Sequence, residues 1–360
     1  MGVGRGYLVA VADVESFGEL LASLPRSGPA EWRAAATRQL RGREPSSLDV
    51  DLGGGIAVPP YAPVDPSAEA PRLERERVYV LADLHAATRL APADVLAELE
   101  GGAQGLWLPR GGLPAGGLPE VRFDFLVTAL ASAGGGAVPP ALEVIPPGQR
   151  GDAQVWVASA PAEAAAVSRA LRREFPKGAV VIADDLAGAD PFARTLHRVR
   201  RLGEALAGAA APAEARELCR GIVLAVTPPA DYLEALVELR AVGLAFGRLC
   251  AGAGVADGGP PLRTWARIAP TGPEQTPEHY LVDATVRATA ALTAGATAVS
   301  VAAHAGSDPA RERRRARNVA NVLQLETDLA SAGDPLAGAA WVEGAAAEVL
   351  RRVWDGLERG

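Results

Sequence analysis

The sequence predicts an α/β fold, a (β/α)8 TIM barrel preceded by an extended N-terminal arm. Three observations predict it. From Val78 onward, short apolar runs alternate with longer stretches of helical periodicity. Eight such runs fall within about 280 residues, near the roughly 250 usual for a barrel of this type. The runs are short and β-rich, which suits strands covered on both faces. An open doubly wound sheet would show the same alternation, and both architectures stay open on pattern alone.

In chain order, residues 1–77 read as arm and linker, and 78–360 as the barrel. Helical spacing runs from Val14 to Leu24 and from Glu31 to Leu40. Gly53-Gly54-Gly55 and Pro59-Pro60 then break regular structure, and Pro63 to Pro71 has linker composition. The expected strands are Val78–Ala82, Gln104–Leu108, Ala141–Ile145, Gln154–Ala158, Ala179–Ala183, Gly221–Val226, Arg263–Ala269 and Thr297–Ala302. Between them, three-to-four spacing marks amphipathic helices. One carries Phe192, Leu196, Val199, Leu202 and Leu206, and a second Leu233, Leu236, Val237, Ala241 and Leu244. A third carries Ala316, Val319, Leu323 and Ala330, and the last Val342, Ala345, Val349, Val353 and Leu357. Gly101–Gly117 and Gly134–Pro147 are rich in Gly and Pro and blur the first half.

Composition excludes several classes of function. Of 360 residues, 49% are hydrophobic and 22% charged, enough for a large core and against wholesale disorder. The net charge of −7 argues against a nucleic-acid partner, which needs a basic face. Cys219 and Cys250 are the only cysteines, so neither a disulfide framework nor a thiolate zinc site is expected. No run of about 18 apolar residues is present, and the N-terminus lacks the apolar centre of a signal peptide. A cytoplasmic protein without membrane contact is expected. Lys177 is the single lysine, which leaves Schiff-base chemistry one candidate.

Few residues carry recognisable chemistry. His85, His197, His279 and His304 form no metal-ligand pair by spacing. His85 and His304 follow the first and last expected strands, on the side where barrel active sites form, whereas His197 beside Arg198, Arg200 and Arg201 reads as an exposed helix face. No glycine run has the P-loop ending. Asp184-Asp185 closes an expected strand and suggests a divalent-cation or acid–base pair, or simply a loop leading to a helix capped near Asp190. Arg263, Trp265 and Arg267 share one face of a strand, and buried arginines there need an anionic ligand or neighbouring carboxylates. The run Arg311 to Arg317 reads as a solvated face with one residue turned inward.

Five blocks, in order, resemble the barrel domain of the methylmalonyl-CoA mutase family. They are Asp231 to Val242, Arg263-Thr264, Tyr280 to Thr289, Arg315 to Glu326 and Asp334 to Glu343. In the arm, Trp32, Leu48-Asp49 and Gly55 to Tyr61 are similar to the segment leading into that barrel. The resemblance implies a barrel whose channel threads the pantetheine of a coenzyme A ester, with carbon-skeleton rearrangement through adenosylcobalamin. It also implies weak acyl-CoA contacts at Arg263, Thr264 and Arg267.

The departures fall on reacting positions. Ile182-Ala183 stand where the family has Tyr-His, and Trp265-Ala266-Arg267 where it has His-Ser-Gln. Pro71 to Arg75 does not replace the coenzyme A-contacting Thr-x-Arg-Pro-Trp, and the cobalt-ligating Asp-x-His-x-x-Gly is absent. Alanine cannot orient a thioester carbonyl, so the electrostatic part of catalysis is missing. The expectation is a non-catalytic, small-subunit-like barrel with no catalytic residue, no metal site and no cobalamin-binding domain. It would bind no cofactor alone and form a heterodimer with a catalytic large subunit that carries adenosylcobalamin. The rivals are an acyl-CoA-binding barrel serving a separate cobalamin chain, and an unrelated metal-dependent lyase or aldolase built on Asp184 and Asp185.

Overall fold

A computed structural model describes residues 28–359 apart from 54, 62–76, 86–89, 109–120, 124–125, 131–141, 143–144, 185, 187–189, 273, 307 and 332. The segments 14–24 and 63–71 lie outside the described residues. Eight parallel strands close into a barrel, which decides against the open sheet.

The arm opens with α1 (Pro29–Gln39), which buries none of its residues. A short hairpin follows, β1 (Val50–Asp51) paired antiparallel with β2 (Ala57–Val58). Gly53 and Gly55 take φ of 82° and 75°, a region that costs side-chain-bearing residues strain, so the turn requires them. Leu52, Ile56 and Val58 pack into the main core, and Arg352 Nη2 donates to the Gly55 carbonyl at 2.9 Å. Trp32 stacks on Tyr61 at 5.1 Å.

The barrel strands are β3 (Tyr79–Asp83), β4 (Gly105–Trp107), β5 (Val127–Leu130), β6 (Gln154–Ser159), β7 (Ala179–Ala183), β8 (Ile222–Val226), β9 (Arg263–Ile268) and β10 (Ala298–Val301). Each pairs with its sequence neighbour, and β10 closes the ring on β3, Ala298 opposite Tyr79. Seven expected strands are present within a residue or two. The third is corrected: it is Val127–Leu130, not Ala141–Ile145. Of that expected segment, Leu142 and Ile145 are described and are buried without belonging to a strand. Thr128 interrupts the apolar run Val127–Leu130 as Glu143 interrupts Ala141–Ile145, so pattern does not separate the two.

The helices are α2 (Pro92–Glu100), α3 (Ala164–Glu174), α4 (Pro191–Ala207), α5 (Pro212–Gly221), α6 (Tyr232–Gly252), α7 (Pro277–Thr293), α8 (Pro309–Leu325) and α9 (Ala340–Arg359). Most open with proline in the first turn, where its missing N–H costs nothing and its fixed φ suits a helix. Asp190, Asp231, Thr276 and Asp308 cap α4, α6, α7 and α8 by accepting a first-turn amide. The α8 periodicity stops at Leu325, so Ala330 falls in a 3-10 turn beyond the helix.

Between strands and helices runs a continuous apolar layer. Buried ion pairs lock the helices over it. Arg198 in α4 is fully buried and bonds Asp184 and Glu238 at 2.7 Å each, while Arg194 pairs with Glu234 and Glu238 of α6. Burial pushes the Glu234 carboxyl up, against the pull of Arg194. The expected exposed face around His197 is thereby corrected. Positions 194 and 198 lie one turn apart and face inward because α6 supplies carboxylates to meet them. Arg240 ties α6 to Asp334 (2.8 Å) and to Glu343 of α9. In α8, Arg317 is the residue that turns inward, onto Glu98.

Candidate functional site

Strand alternation sends Leu81, Val127, Trp156, Val181, Val223 and Trp265 to the barrel axis. Much of the rest of the lining is alanine, at 129, 158, 179, 225 and 298. Small side chains leave room, and three indoles take it. Trp107 meets Trp265 edge-on at 4.9 Å, and Trp265 meets Trp156 at 6.1 Å. Trp265 Nε1 donates to Ser300 Oγ at 3.0 Å, whereas Trp156 Nε1 is buried with no partner among the described residues. Trp156 and Trp265 are 1% and 2% exposed, so the axis is filled from side to side.

At the N-terminal mouth lies a cavity of about 350 Å³. Arg77, Arg220 and Arg263 line it with Tyr79, Gln154 and Trp156. Arg263 Nη2 donates to the Arg220 carbonyl at 2.6 Å, the Arg77 guanidinium lies 5.3 Å from the Tyr79 ring centre, and Gln154 Nε2 donates to the Tyr79 hydroxyl at 2.8 Å. Three guanidiniums around a ligand-sized hollow can take an anion.

Arg267 reaches the opposite mouth. Its guanidinium carbon lies 5.4 Å from the Trp107 centre and 5.9 Å from that of Trp265, and Nη2 donates to the Asp184 carbonyl at 3.2 Å. The shared face of Arg263 and Arg267 is therefore real, but the tryptophans separate them. Thr264 belongs to the other face of β9, next to Ala266 and Ile268 of the outer core, and its carbonyl accepts from Thr297. The three expected coenzyme A contacts are thus not brought together.

Asp184 is 4% exposed, and its carboxylate is engaged by Arg198. Asp185 lies outside the described residues. No group of three or more His, Cys, Asp or Glu suited to a metal ion occurs among the described residues. Ile182 points into the outer layer, while Ala183 follows the lumen-facing Ala179 and Val181 to the mouth. His304 places one ring nitrogen 2.8 Å from the Ala305 carbonyl and the other 2.7 Å from that of Gln275, so it pins a loop. His85 does stand at the mouth. Its Nδ1 lies 2.5 Å from Asp83 Oδ1, and its ring stacks on Trp107 at 3.7 Å and 7°.

Sequence reasoning missed Tyr79, Trp107, Trp156 and Asp83 as site residues. The signal was a single tryptophan or tyrosine in each of β3, β4, β6 and β9. The two cysteines, far apart in sequence, also meet, with buried Sγ atoms 2.8 Å apart. Their contact pulls the Cys219 thiol down and, with burial, pushes that of Cys250 up.

No family model and no curated protein matches the chain. Among solved structures, 7,8-dihydropteroate synthase from Vibrio fischeri ES114 aligns at 14% identity and TM-score 0.39, over 70% of this chain and 93% of that one. An archaeal fructose 1,6-bisphosphate aldolase aligns at 13% and 0.36, over 70% and 93%. A chitinase domain from Pyrococcus furiosus aligns at 10% and 0.37, over 81% and 98%. The barrel rests on this chain's own strand order, and these likenesses say nothing of its substrate. Among the described residues no helix is long and apolar enough to cross a membrane.

Proposed function

We propose that this chain is a degenerate, non-catalytic barrel of methylmalonyl-CoA mutase type that associates with a catalytic acyl-CoA mutase chain. The observation that carries this reading is the filled axis: Trp107, Trp156 and Trp265 occupy the space a pantetheine arm would thread. Support also comes from where the resembling residues sit. Glu238, Arg240, Arg317 and Glu343 make ion pairs between helices, Asp334 ties its loop to α6 through Arg240, and Arg287 pairs with Asp283 within α7. The likeness is thus one of scaffold; of the departures, Trp265 lies at the axis and Ala183 and Arg267 at its C-terminal mouth, while Ile182 and Ala266 face the outer layer.

Adenosylcobalamin belongs, in this reading, to the catalytic chain. The described residues do not fit it as a resident cofactor, because the indoles close the path by which an acyl group would reach a corrin above the C-terminal mouth. The association surface would include α1, which buries nothing within this chain, and α7, whose Val282 and Val286 are 66% and 37% exposed one turn apart. Mixed at micromolar concentration, this protein and a cognate catalytic chain co-elute on gel filtration; clean separation overturns the proposal.

A second reading is favoured by one observation, the arginine-lined cavity at the N-terminal mouth. There a coenzyme A ester would bind by its phosphates without threading the barrel. Saturable binding of acetyl-CoA that Arg263→Ala abolishes would establish it. Absence of binding at millimolar ligand would remove it.

A further inference from the structure

We propose that the opposite, C-terminal mouth of the barrel is a binding site for a small carboxylate, formed by His85, Trp107 and Arg267 with Asp83 as the positioning residue. The proposal does not depend on the partner reading above, since it concerns the other opening of the filled axis.

Asp83 ends β3 on the side of Tyr79 and Leu81, facing the axis, and its side chain is 6% exposed. Oδ1 lies 2.5 Å from His85 Nδ1 and accepts from the His85 amide at 3.3 Å. A turn at the end of a strand needs only the second of these contacts. The first fixes a proton on Nδ1 and leaves Nε2 as the outward nitrogen. That nitrogen has no partner among the described residues, and the His85 side chain is 43% exposed, so a solute can reach it. The ring is held a second time by the indole of Trp107, against which it lies nearly parallel. A loop histidine without a task has no reason to be held by both a buried carboxylate and a stacked indole.

Arg267 places its charge near the same indole, with its Nη2 anchored on the Asp184 carbonyl. The Asp184 carboxylate is turned away to Arg198. Imidazole and guanidinium thus both contact the Trp107 indole, at the end of the barrel where such folds bind ligands. A planar carboxylate suits a guanidinium and an imidazole. The depth behind them is closed by Trp265, which limits the ligand to a small one.

Malonate is the probe, titrated into the full chain while the Cε1–H signals of the four histidines are followed by NMR. The His85 signal, assigned by its loss in His85→Gln, moves saturably while that of His279 stays fixed. Arg267→Gln weakens malonate binding about tenfold or more, as loss of a charge-assisted contact does. Asp83→Asn weakens it and also changes the His85 tautomer read from its ring nitrogen shifts, which a purely structural aspartate would not do. A His85 signal that malonate leaves unmoved overturns the proposal. So does unchanged affinity in a folded Arg267→Gln protein, and so does a loss produced by Arg263→Gln instead. Displacement by inorganic phosphate at equal affinity overturns the carboxylate assignment.

Discussion

Replacing each of the two most buried axial tryptophans by phenylalanine separates packing from hydrogen bonding within one lumen. Trp156 and Trp265 are equally buried and 6.1 Å apart. Either substitution leaves a void smaller than a side chain, costing about 1 kcal/mol. Trp265→Phe also removes the Nε1–Oγ bond of 3.0 Å and leaves the buried Ser300 hydroxyl unpaired, a further ~1–3 kcal/mol. Trp156→Phe removes a donor that has no partner, which offsets part of its void. Expected losses are about 2–4 kcal/mol for Trp265→Phe and about 1 kcal/mol or less for Trp156→Phe. At ~2.1 cal/mol/K per residue, a chain of 360 residues shifts by about a degree for each 0.75 kcal/mol. Trp265→Phe therefore lowers Tm by about 3–5 °C and Trp156→Phe by about a degree or less. Far-UV circular dichroism reads both, since fluorescence changes with the substitution itself. Equal shifts would refute the reasoning, because they would mean that void volume alone sets the cost.

Further outcomes follow from other parts of the fold. Arg198→Ala leaves the buried Asp184 carboxylate without its cation and Glu238 with Arg194 alone, and costs about 3–5 kcal/mol in urea denaturation, whereas Arg351→Ala at an exposed position of α9 costs less than about 1 kcal/mol. A mild oxidant closes Cys219 and Cys250 into a disulfide, seen as loss of both titratable thiols and a rise in stability of about 3–4 kcal/mol; Cys219→Ser prevents it. Arg351 and Arg352 hold the Glu348 carboxyl down to about 2. Its contribution to α9 is complete above about pH 4.3 and disappears as pH falls toward 2, so Glu348→Gln flattens that limb of the acid denaturation curve.

Much of the barrel was legible because its strands had to be apolar on both faces. Ala179–Ala183 carries no polar residue and was read to the residue. Val127–Leu130 was not, because one polar residue interrupts it, Thr128, just as Glu143 interrupts Ala141–Ile145, and local pattern does not rank the two. Prolines and capping side chains marked several helix starts openly. The ion pairs were less visible. Residues 194 and 198 look solvent-facing until α6 is laid against them with Glu234 and Glu238.

The sequence by itself determined the alternation of strand and helix, the shared face of Arg263, Trp265 and Arg267, and the alanine-rich lining, because these follow from periods of two and 3.6 residues along one chain. Only the tertiary structure decided that three indoles from β4, β6 and β9 meet on the axis, that Arg263 and Arg267 serve opposite mouths, and that Asp83 and His85 stand beside Trp107. Closing eight strands into a ring sets which side chains face one another across it, and no local period carries that distance.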